Sequence, residues 1–197
     1  CAPCQPFSTY SQRYKNIGTD RWALLYQFAR LIKELLPDYI VMENVPRVTK
    51  HVVFDDFEKS IKALGYHLTI KTVDCSEYGL PQTRKRTVLI ASLHGEIDLP
   101  EGHSNKMSVR DAIGQLPEIY AGNKNNRDPL HISPKLSELN LRRIIASKPG
   151  GSWRDWPKEI IAECHNKKSG KTYVSVYGRM EWDKPSPSLT TQFYGFG

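Results

Sequence analysis

The stretch Tyr39-Ile40-Val41-Met42-Glu43-Asn44-Val45-Pro46 is the best guide to the fold. Its four apolar or aromatic residues in a row are typical of a buried strand in a parallel sheet. The run ends at Glu43 and a turn closed by proline, so Glu43 is predicted at the carboxyl end of a strand. Ligands of open α/β sheets bind beyond such ends. Glu43 is therefore a candidate functional residue, with a carboxylate that merely caps a turn as the alternative.

Helical and strand patterns alternate on both sides of this stretch. The predicted elements are a helix capped at Thr19 or Asp20 and stopped by Pro37, a helix from Val53 to Leu64 capped by Gly65, strands at 68–74 and 87–91, and a short helix opening at Ser108. Helices that alternate with strands indicate an α/β layer with a mainly parallel sheet.

The texture of the sequence changes after about residue 117, where short segments alternate with Pro, Gly, Asn and Ser. One helix is predicted there, from Ser133-Pro134 to about Ala146, with serine as its cap and proline at its first position. Pro149-Gly150-Gly151 ends it. We therefore predict two domains, an α/β domain over 1–116 and a small irregular α+β domain over 117–197.

The composition is that of a basic chain without a membrane span. The formal net charge is +7, with the excess concentrated in the second half. Such an excess favours a polyanionic partner through counterion release, although a solvated surface that keeps the protein soluble is equally compatible with it. No run approaches the roughly 18 apolar residues that a membrane-spanning helix needs.

The four cysteines do not suggest a disulfide framework, and a reducing, cytoplasmic setting fits them better. Cys1-x-x-Cys4 formally matches half of a zinc or redox motif. A zinc site would need a second close pair, whereas Cys75 and Cys164 are far apart in the sequence. We therefore predict no metal site.

Three short motifs carry the candidate chemistry: Pro3-Cys4-Gln5-Pro6-Phe7-Ser8, Met42-Glu43-Asn44-Val45, and Tyr78-Gly79-Leu80-Pro81-Gln82 leading to Arg84 and Arg86. They supply a thiol, a carboxylate and a pair of guanidinium groups. These are the parts needed for covalent attack on a pyrimidine ring, in which a thiolate adds to carbon 6 while an acid and a cation absorb the developing charge. Taken singly, the cysteine would be a buried thiol and the basic run a solvated turn.

In this order and context, the three motifs resemble those of the DNA (cytosine-5) methyltransferases, and the likeness extends along the whole chain. The resemblance implies a partial Rossmann-like methyltransferase sheet followed by a target-recognition domain. It implies that Cys4 is the nucleophile, that Glu43 contacts ring nitrogen 3, and that Arg84 and Arg86 form the cationic clamp. The implied methyl donor is S-adenosylmethionine, and the implied partner is double-stranded DNA whose target cytosine is flipped out of the helix.

The same resemblance assigns further contacts. Pro3, Asp20 and Leu24 are expected to border the methyl donor. Residues expected to contact DNA are Gln5, Ser8, Ser11, Gln82, Lys167, Lys168, Lys171 and Arg179.

The sequence departs from the family at both ends. No G-x-G-x-x-G loop for the donor is present, and the chain opens at the predicted catalytic loop. It stops at Tyr194-Gly195-Phe196-Gly197, before the C-terminal motifs on the donor side that the resemblance implies. We therefore expect the central part of a methyltransferase, with an incomplete donor pocket and poor activity alone. Its exposed sheet edge is expected to pair with a second chain or with the missing parts of the same enzyme. Family membership implies a bacterial restriction–modification setting, in the cytoplasm and associated with DNA.

Three alternatives to a DNA methyltransferase remain open at this point. The chain could be a non-catalytic DNA-binding module in which only the second half acts. It could methylate cytosine in tRNA, since a relative of the family uses the same cysteine on RNA. It could also be a zinc or redox protein built on Cys1-x-x-Cys4.

Overall fold

The computed structural model describes residues 23–167 and 178–189. Within them the chain forms two compact units. The first comprises the described residues up to Tyr78 together with Arg84–Asn105, and the second comprises Gly79–Thr83 and the described residues from Lys106 onward. No helix of the described part is long and apolar enough to cross a membrane.

The first unit is built on a three-stranded sheet of β1 (Tyr39–Asn44), β2 (His67–Asp74) and β4 (Lys85–Ser92), in the order β1-β4-β2. Each strand lies at its predicted position. Both pairings are antiparallel, so the prediction of a mainly parallel sheet is wrong for these three strands. The chain between β2 and β4 is too short for a parallel crossover, which needs about a dozen residues, and β4 therefore runs back along β2.

Two helices accompany this sheet, α1 (Ala23–Leu35) and α2 (Val52–Ala63), with a 3₁₀ turn at Pro46–Lys50 between β1 and α2. Gly65 follows the end of α2 with a φ of 91°, the left-handed conformation that a glycine C-cap adopts. The predicted capping of α1 at Thr19 or Asp20 lies outside the described residues. The Tyr26 hydroxyl donates to Asp56 Oδ2 at 2.7 Å and thereby links the two helices.

The core of the first unit forms between α1, α2 and one face of the sheet. Phe28 and Phe57 stack with their ring centroids 5.5 Å apart. The buried side chains are Leu25, Ile32, Ile40, Met42, Val48, Val53, Phe54, Phe57, Ile61, Tyr66, Leu89 and Ala91. Each fully buried aliphatic or aromatic side chain of this kind contributes about 1.5–3 kcal/mol. This core gives β1 and β4 the rigid backing on which the candidate site is placed.

The second unit contains short elements: β3 (Gln82–Thr83) paired in parallel with β5 (Ser186–Pro187), and the helices α3 (Val109–Ile113), α4 (Glu138–Ala146) and α5 (Glu163–Asn166). The predicted capping box of α3 is confirmed, because Ser108 and Asp111 exchange side-chain and backbone hydrogen bonds.

Helix α4 begins later than predicted, because its cap is Ser137 and not Ser133. The backbone of the predicted start is already used elsewhere. The amide of Ser133 donates to Asn123 O at 2.9 Å, and the carbonyl of Pro134 accepts from the amide of Gly122 at 3.0 Å. These bonds close an irregular hairpin and delay the helix by one turn.

A small aromatic cluster forms the core of the second unit. Trp153, Trp156 and Ile160 are buried together. The indole Nε1 of Trp156 donates to Ser147 Oγ at 2.8 Å, and the ring of Trp153 stacks on that of His165 with centroids 4.3 Å apart. Few apolar side chains are available here, so hydrogen bonds and ring stacking carry a larger share of the packing.

Candidate active site

Some of the residues singled out from the sequence lie within the described segments and some do not. Those outside are Pro3, Cys4, Gln5, Ser8, Ser11, Asp20, Lys168 and Lys171. Those inside are Leu24, Glu43, Gln82, Arg84, Arg86, Lys167 and Arg179. The geometry that follows concerns the second set only.

Strand β1 places Glu43 on the sheet face opposite the core. Ile40, Met42 and Asn44 are buried on the inner face, while Val41 and Glu43 alternate with them on the outer face. The antiparallel register sets Glu43 opposite Val88 of β4. Every second residue of a strand points to the same face, so Arg86, two residues before Val88, lies on the face of Glu43 and next to it.

Both arginines of the basic motif contact this carboxylate. Arg86 Nε lies 2.5 Å from Glu43 Oε1, and Arg84 Nη2 lies 3.9 Å from the same oxygen. The side chain of Arg86 is 18% exposed, that of Arg84 36% and that of Glu43 46%. Arg86 is thus the close and better sheltered partner, whereas Arg84 approaches from the limit of an ion pair.

This arrangement gathers one anionic and two cationic groups on a half-exposed sheet face. A carboxylate in such a position can accept a hydrogen bond, or donate one once protonated, to a heteroatom of a ligand. The two guanidinium groups can face an oxygen that gains negative charge. The structure thus brings together Glu43, Arg84 and Arg86, which are 41 to 43 residues apart in the sequence.

Buried polar side chains hold the strand ends that carry these groups. Asn44 is fully buried, and its Oδ1 accepts the amide of Val45 at 2.8 Å, which shapes the turn after Glu43. Thr87, also fully buried, shares a 3.1 Å hydroxyl contact with Thr72 of β2 and lies between Arg86 and Val88. The sequence assigned no role to Asn44 or Thr87, because the identity of a polar residue in a strand does not show whether its side chain is buried.

Three other predicted contacts belong to the second unit. The amide of Gln82 in β3 donates to Leu80 O at 2.7 Å, and Lys167 is exposed just after α5. Arg179 Nη1 donates to Ser147 O at 3.0 Å, so part of its guanidinium already stabilises the unit. Whether these residues contact DNA stays a prediction.

The described residues contribute little to a methyl-donor site. Leu24, on the first turn of α1, is 40% exposed and so is accessible to a ligand. It is the one predicted donor contact within the described segments, and a single aliphatic side chain does not define a nucleoside pocket. We therefore assign the donor no described site.

Comparison with known proteins identifies the family to which this chain belongs. A sequence profile described as C-5 cytosine-specific DNA methylase matches residues 1–194. The chain belongs to the C-5 cytosine-specific DNA methylase family, and the resemblance derived from its three motifs is confirmed.

Similar proteins include two bacterial methylases. The chain is 50% identical over 203 residues to the Type II methylase M.HgiDII of Herpetosiphon aurantiacus, in a match that covers 100% of this chain and 57% of the relative. It is 32% identical over 198 residues to the Type II methyltransferase M1.HphI of Haemophilus parahaemolyticus, which covers 95% of this chain and 50% of that protein. The chain thus spans about half the length of these relatives.

A solved structure shares the fold. It belongs to a prophage-encoded protein of E. coli assigned as a DNA modification methyltransferase, and it superposes with a TM-score of 0.63 over 95% of this chain and 60% of that chain. At 20% identity this likeness concerns the fold alone. The mixed α/β architecture of the described units is therefore consistent with a methyltransferase fold.

Proposed function

We propose that this chain carries the catalytic centre of a DNA (cytosine-5) methyltransferase, an enzyme that adds a methyl group to carbon 5 of a flipped cytosine. The observation that supports the proposal most directly is the contact of Glu43 with Arg84 and Arg86 on one sheet face. Each motif alone has an ordinary structural explanation. Their convergence, in a chain of this family, favours a shared chemical task.

The proposed reaction begins with the thiolate of Cys4. Its electron pair forms a bond to carbon 6 of cytosine, and the ring loses its aromaticity while carbon 5 becomes enamine-like. Carbon 5 then takes the methyl group from a sulfonium donor, whose sulfur–methyl bond breaks so that the donor leaves as a neutral thioether. A base removes the proton from carbon 5, the electron pair of that bond re-forms the carbon 5–carbon 6 double bond, and the carbon 6–sulfur bond breaks to release the thiolate. This sequence restores both the aromatic ring and the free cysteine.

Glu43, Arg84 and Arg86 would stabilise the intermediate of this reaction. The addition of sulfur to carbon 6 pushes negative charge toward ring nitrogen 3 and the exocyclic oxygen. In this proposal the carboxyl group of Glu43 hydrogen-bonds to ring nitrogen 3 as the adduct forms. The guanidinium groups face the oxygen, and Arg86 also holds the Glu43 side chain in place from 2.5 Å.

The family uses S-adenosylmethionine, which supplies an electrophilic methyl group. We propose that Pro3, Asp20 and Leu24 border this donor. Leu24 would offer an apolar contact, Asp20 a hydrogen-bond acceptor, and Pro3 a rigid turn beside the nucleophile.

We further propose that the sheet of the first unit is part of a Rossmann-like methyltransferase sheet and that residues 117–197 recognise the target. Basic and polar side chains of this region would contact phosphates and base edges. The DNA contacts proposed are Gln5, Ser8, Ser11, Gln82, Lys167, Lys168, Lys171 and Arg179. The substrate would be double-stranded DNA, in a bacterial cytoplasm, with further polypeptide completing the enzyme.

A trapping experiment tests the proposal. The full-length natural protein is incubated with S-adenosylmethionine and a duplex that contains 5-fluorocytosine, whose fluorine cannot leave as a proton does. We expect a covalent protein–DNA adduct that resists denaturant and maps to Cys4. The Cys4→Ser variant should form no adduct but should still bind DNA. Cys164→Ser, a change at an exposed cysteine outside the proposed centre, should form it normally.

The outcomes separate the competing functions. Salt-sensitive DNA binding without an adduct in the unaltered protein would favour a DNA-binding module. An adduct with fluorinated tRNA but not with duplex DNA would favour a tRNA methyltransferase. An adduct that persists in Cys4→Ser would remove the role proposed for Cys4.

A further inference from the structure

The connection between β2 and β4 is closed at its base by the backbone. The chain leaves the sheet at Cys75 and returns at Arg84, and the amide of Cys75 donates to Arg84 O at 2.8 Å. A 3₁₀ turn at Cys75–Tyr78 begins the connection. The point at which the chain enters β4 determines the backbone position of Arg84. It therefore determines how far the Arg84 side chain can reach.

A single carboxylate oxygen accepts hydrogen bonds from both ends of this connection. Asp74, the last residue of β2, accepts three hydrogen bonds at Oδ1: from the Ser76 amide at 3.1 Å, from Ser76 Oγ at 2.9 Å and from the Arg84 amide at 3.3 Å. Ser76 is fully buried. The carboxylate of Asp74 therefore ties the first turn of the connection to the backbone of its last residue.

The bond to Arg84 fixes the backbone of that residue and leaves its side chain to act elsewhere. Asp74 pairs with Lys85 in the register, so it lies on the inner sheet face, and the Arg84 guanidinium extends to Glu43 on the outer face. At 3.9 Å from Glu43 Oε1, Arg84 is at the limit of an ion pair, so a small shift of its backbone away from Glu43 takes it beyond ion-pair distance. Arg86, inside β4, is held by the strand pairing itself.

We propose that Asp74 is a positioning residue for the candidate active site, acting through Arg84. This inference rests on the proposed function, because it assigns Asp74 the task of holding one half of the cationic clamp. The hydrogen-bonding geometry of Oδ1, and not the negative charge of the carboxylate, is the property required. Asparagine keeps an acceptor oxygen at the same position, so Asp74→Asn should preserve the positioning of Arg84.

The test measures single-turnover methyl transfer by the full-length natural protein and its variants. Asp74→Ala should lower the rate constant about fivefold or more, since misplaced catalytic groups lose rate steeply, but no further than Arg84→Ala does. Asp74→Asn should stay within about threefold of the unaltered protein, because the hydrogen bonds survive. The dissociation constant for DNA should change by less than about twofold in both, because the effect lies on the chemical step.

A double-mutant cycle separates positioning from a general loss of stability. In an Arg84→Ala background, Asp74→Ala should change the rate constant by less than about twofold, because the group it positions is gone. A purely structural role would lower the rate equally in both backgrounds. Asp98→Ala is the matched control, since it removes an exposed carboxylate from the same unit that lies 3.7 Å from Lys71 Nζ. It should leave the rate unchanged.

The results decide between this inference and the proposed function. If Arg84→Ala slows transfer and Asp74→Ala does not, or if Asp74→Asn is as slow as Asp74→Ala, the role of Asp74 is refuted and the proposed function stands. If the unaltered protein transfers no methyl group, or Arg84→Ala has no effect, both fail. Should Asp74→Ala not fold, Ser76→Ala replaces it. For Ser76→Ala, which removes one of the three bonds to Asp74 Oδ1, a loss of about twofold or more that vanishes in the Arg84→Ala background supports the proposal, and any other result overturns it.

Discussion

The two arginines that contact Glu43 should differ in how strongly they are coupled to it. The structure places Arg86 Nε at 2.5 Å and Arg84 Nη2 at 3.9 Å from the same carboxylate oxygen. The perturbation is the removal of each charge in turn, by Glu43→Gln, Arg84→Gln and Arg86→Gln, together with the two double variants that pair Glu43→Gln with either arginine change. Glutamine has the size of glutamate without its charge, and it keeps the polar, unbranched stem of arginine while removing the guanidinium group, so the loss of charge and of the ion pair dominates.

The expected coupling energies follow from distance and exposure. Unit charges about 4 Å apart attract by about 4 kcal/mol at an effective dielectric constant of 20, but exposed pairs retain only about 0.2–1 kcal/mol after desolvation and screening. Hydrogen bonds to charged groups contribute about 1.5–3 kcal/mol. Arg86 is 18% exposed and Glu43 46%, so their coupling should lie between these limits, at about 1–1.5 kcal/mol. For Arg84, farther away and more exposed, we expect less than about 0.5 kcal/mol.

Urea unfolding of the five variants and the unaltered protein gives both coupling energies. The measurement is made at low ionic strength and again in 1 M salt, where the screening length falls to about 3 Å. The coupling of Arg86 should persist in part because the contact is close and sheltered. A coupling of Arg84 equal to or larger than that of Arg86 would refute the geometry, and so would two values below about 0.3 kcal/mol at low salt.

Three further predictions concern stability. Trp156→Phe should destabilise the second unit by about 1–3 kcal/mol in urea unfolding, because the indole bond to Ser147 Oγ and part of the buried ring are lost, and a loss below about 0.5 kcal/mol would contradict this. The hydrogen bond from Arg110 lowers the pKa of Asp183, so this pair stabilises the fold above the unfolded carboxyl pKa of about 3.9 and loses its effect as the pH falls through the folded value. The melting temperature of Asp183→Asn should therefore fall less between pH 5 and pH 2 than that of the unaltered protein. Identical dependence of the two melting temperatures on pH would argue against the pair. Gly65→Ala should lower the free energy of unfolding by about 1 kcal/mol. The whole loss should come from its φ of 91°, because the added Cβ meets no atom within 4 Å. An unchanged urea midpoint would show that the turn relaxes.

Local signals in the sequence were sufficient to locate the secondary structure of the first unit and the start of α3 in the second. The apolar run from Tyr39 predicted β1, and the serine–acid pair at Ser108 and Asp111 predicted the start of α3. Helix caps and apolar runs involve neighbours within about four residues, so the sequence displays them directly.

The direction of strand pairing and the true start of α4 could not be read in this way. Apolar runs typical of parallel strands occur in β1 and β4, which pair antiparallel. Ser133 and Ser137 are equally good caps by composition. Ser137 is used because the Ser133 amide and the Pro134 carbonyl are already hydrogen-bonded to Asn123 and Gly122 in the hairpin.

For the candidate site, the sequence by itself determined which chemical groups are present and to which family they belong. Glu43, Arg84 and Arg86 were recognised from motifs because their residue types and spacing are local properties. Their meeting on one face was decided by tertiary structure alone, through the register that sets Glu43 opposite Val88. The use of Asp74 to hold Arg84 was decided in the same way, because a hydrogen bond across ten residues depends on how the chain closes and not on which residue comes next.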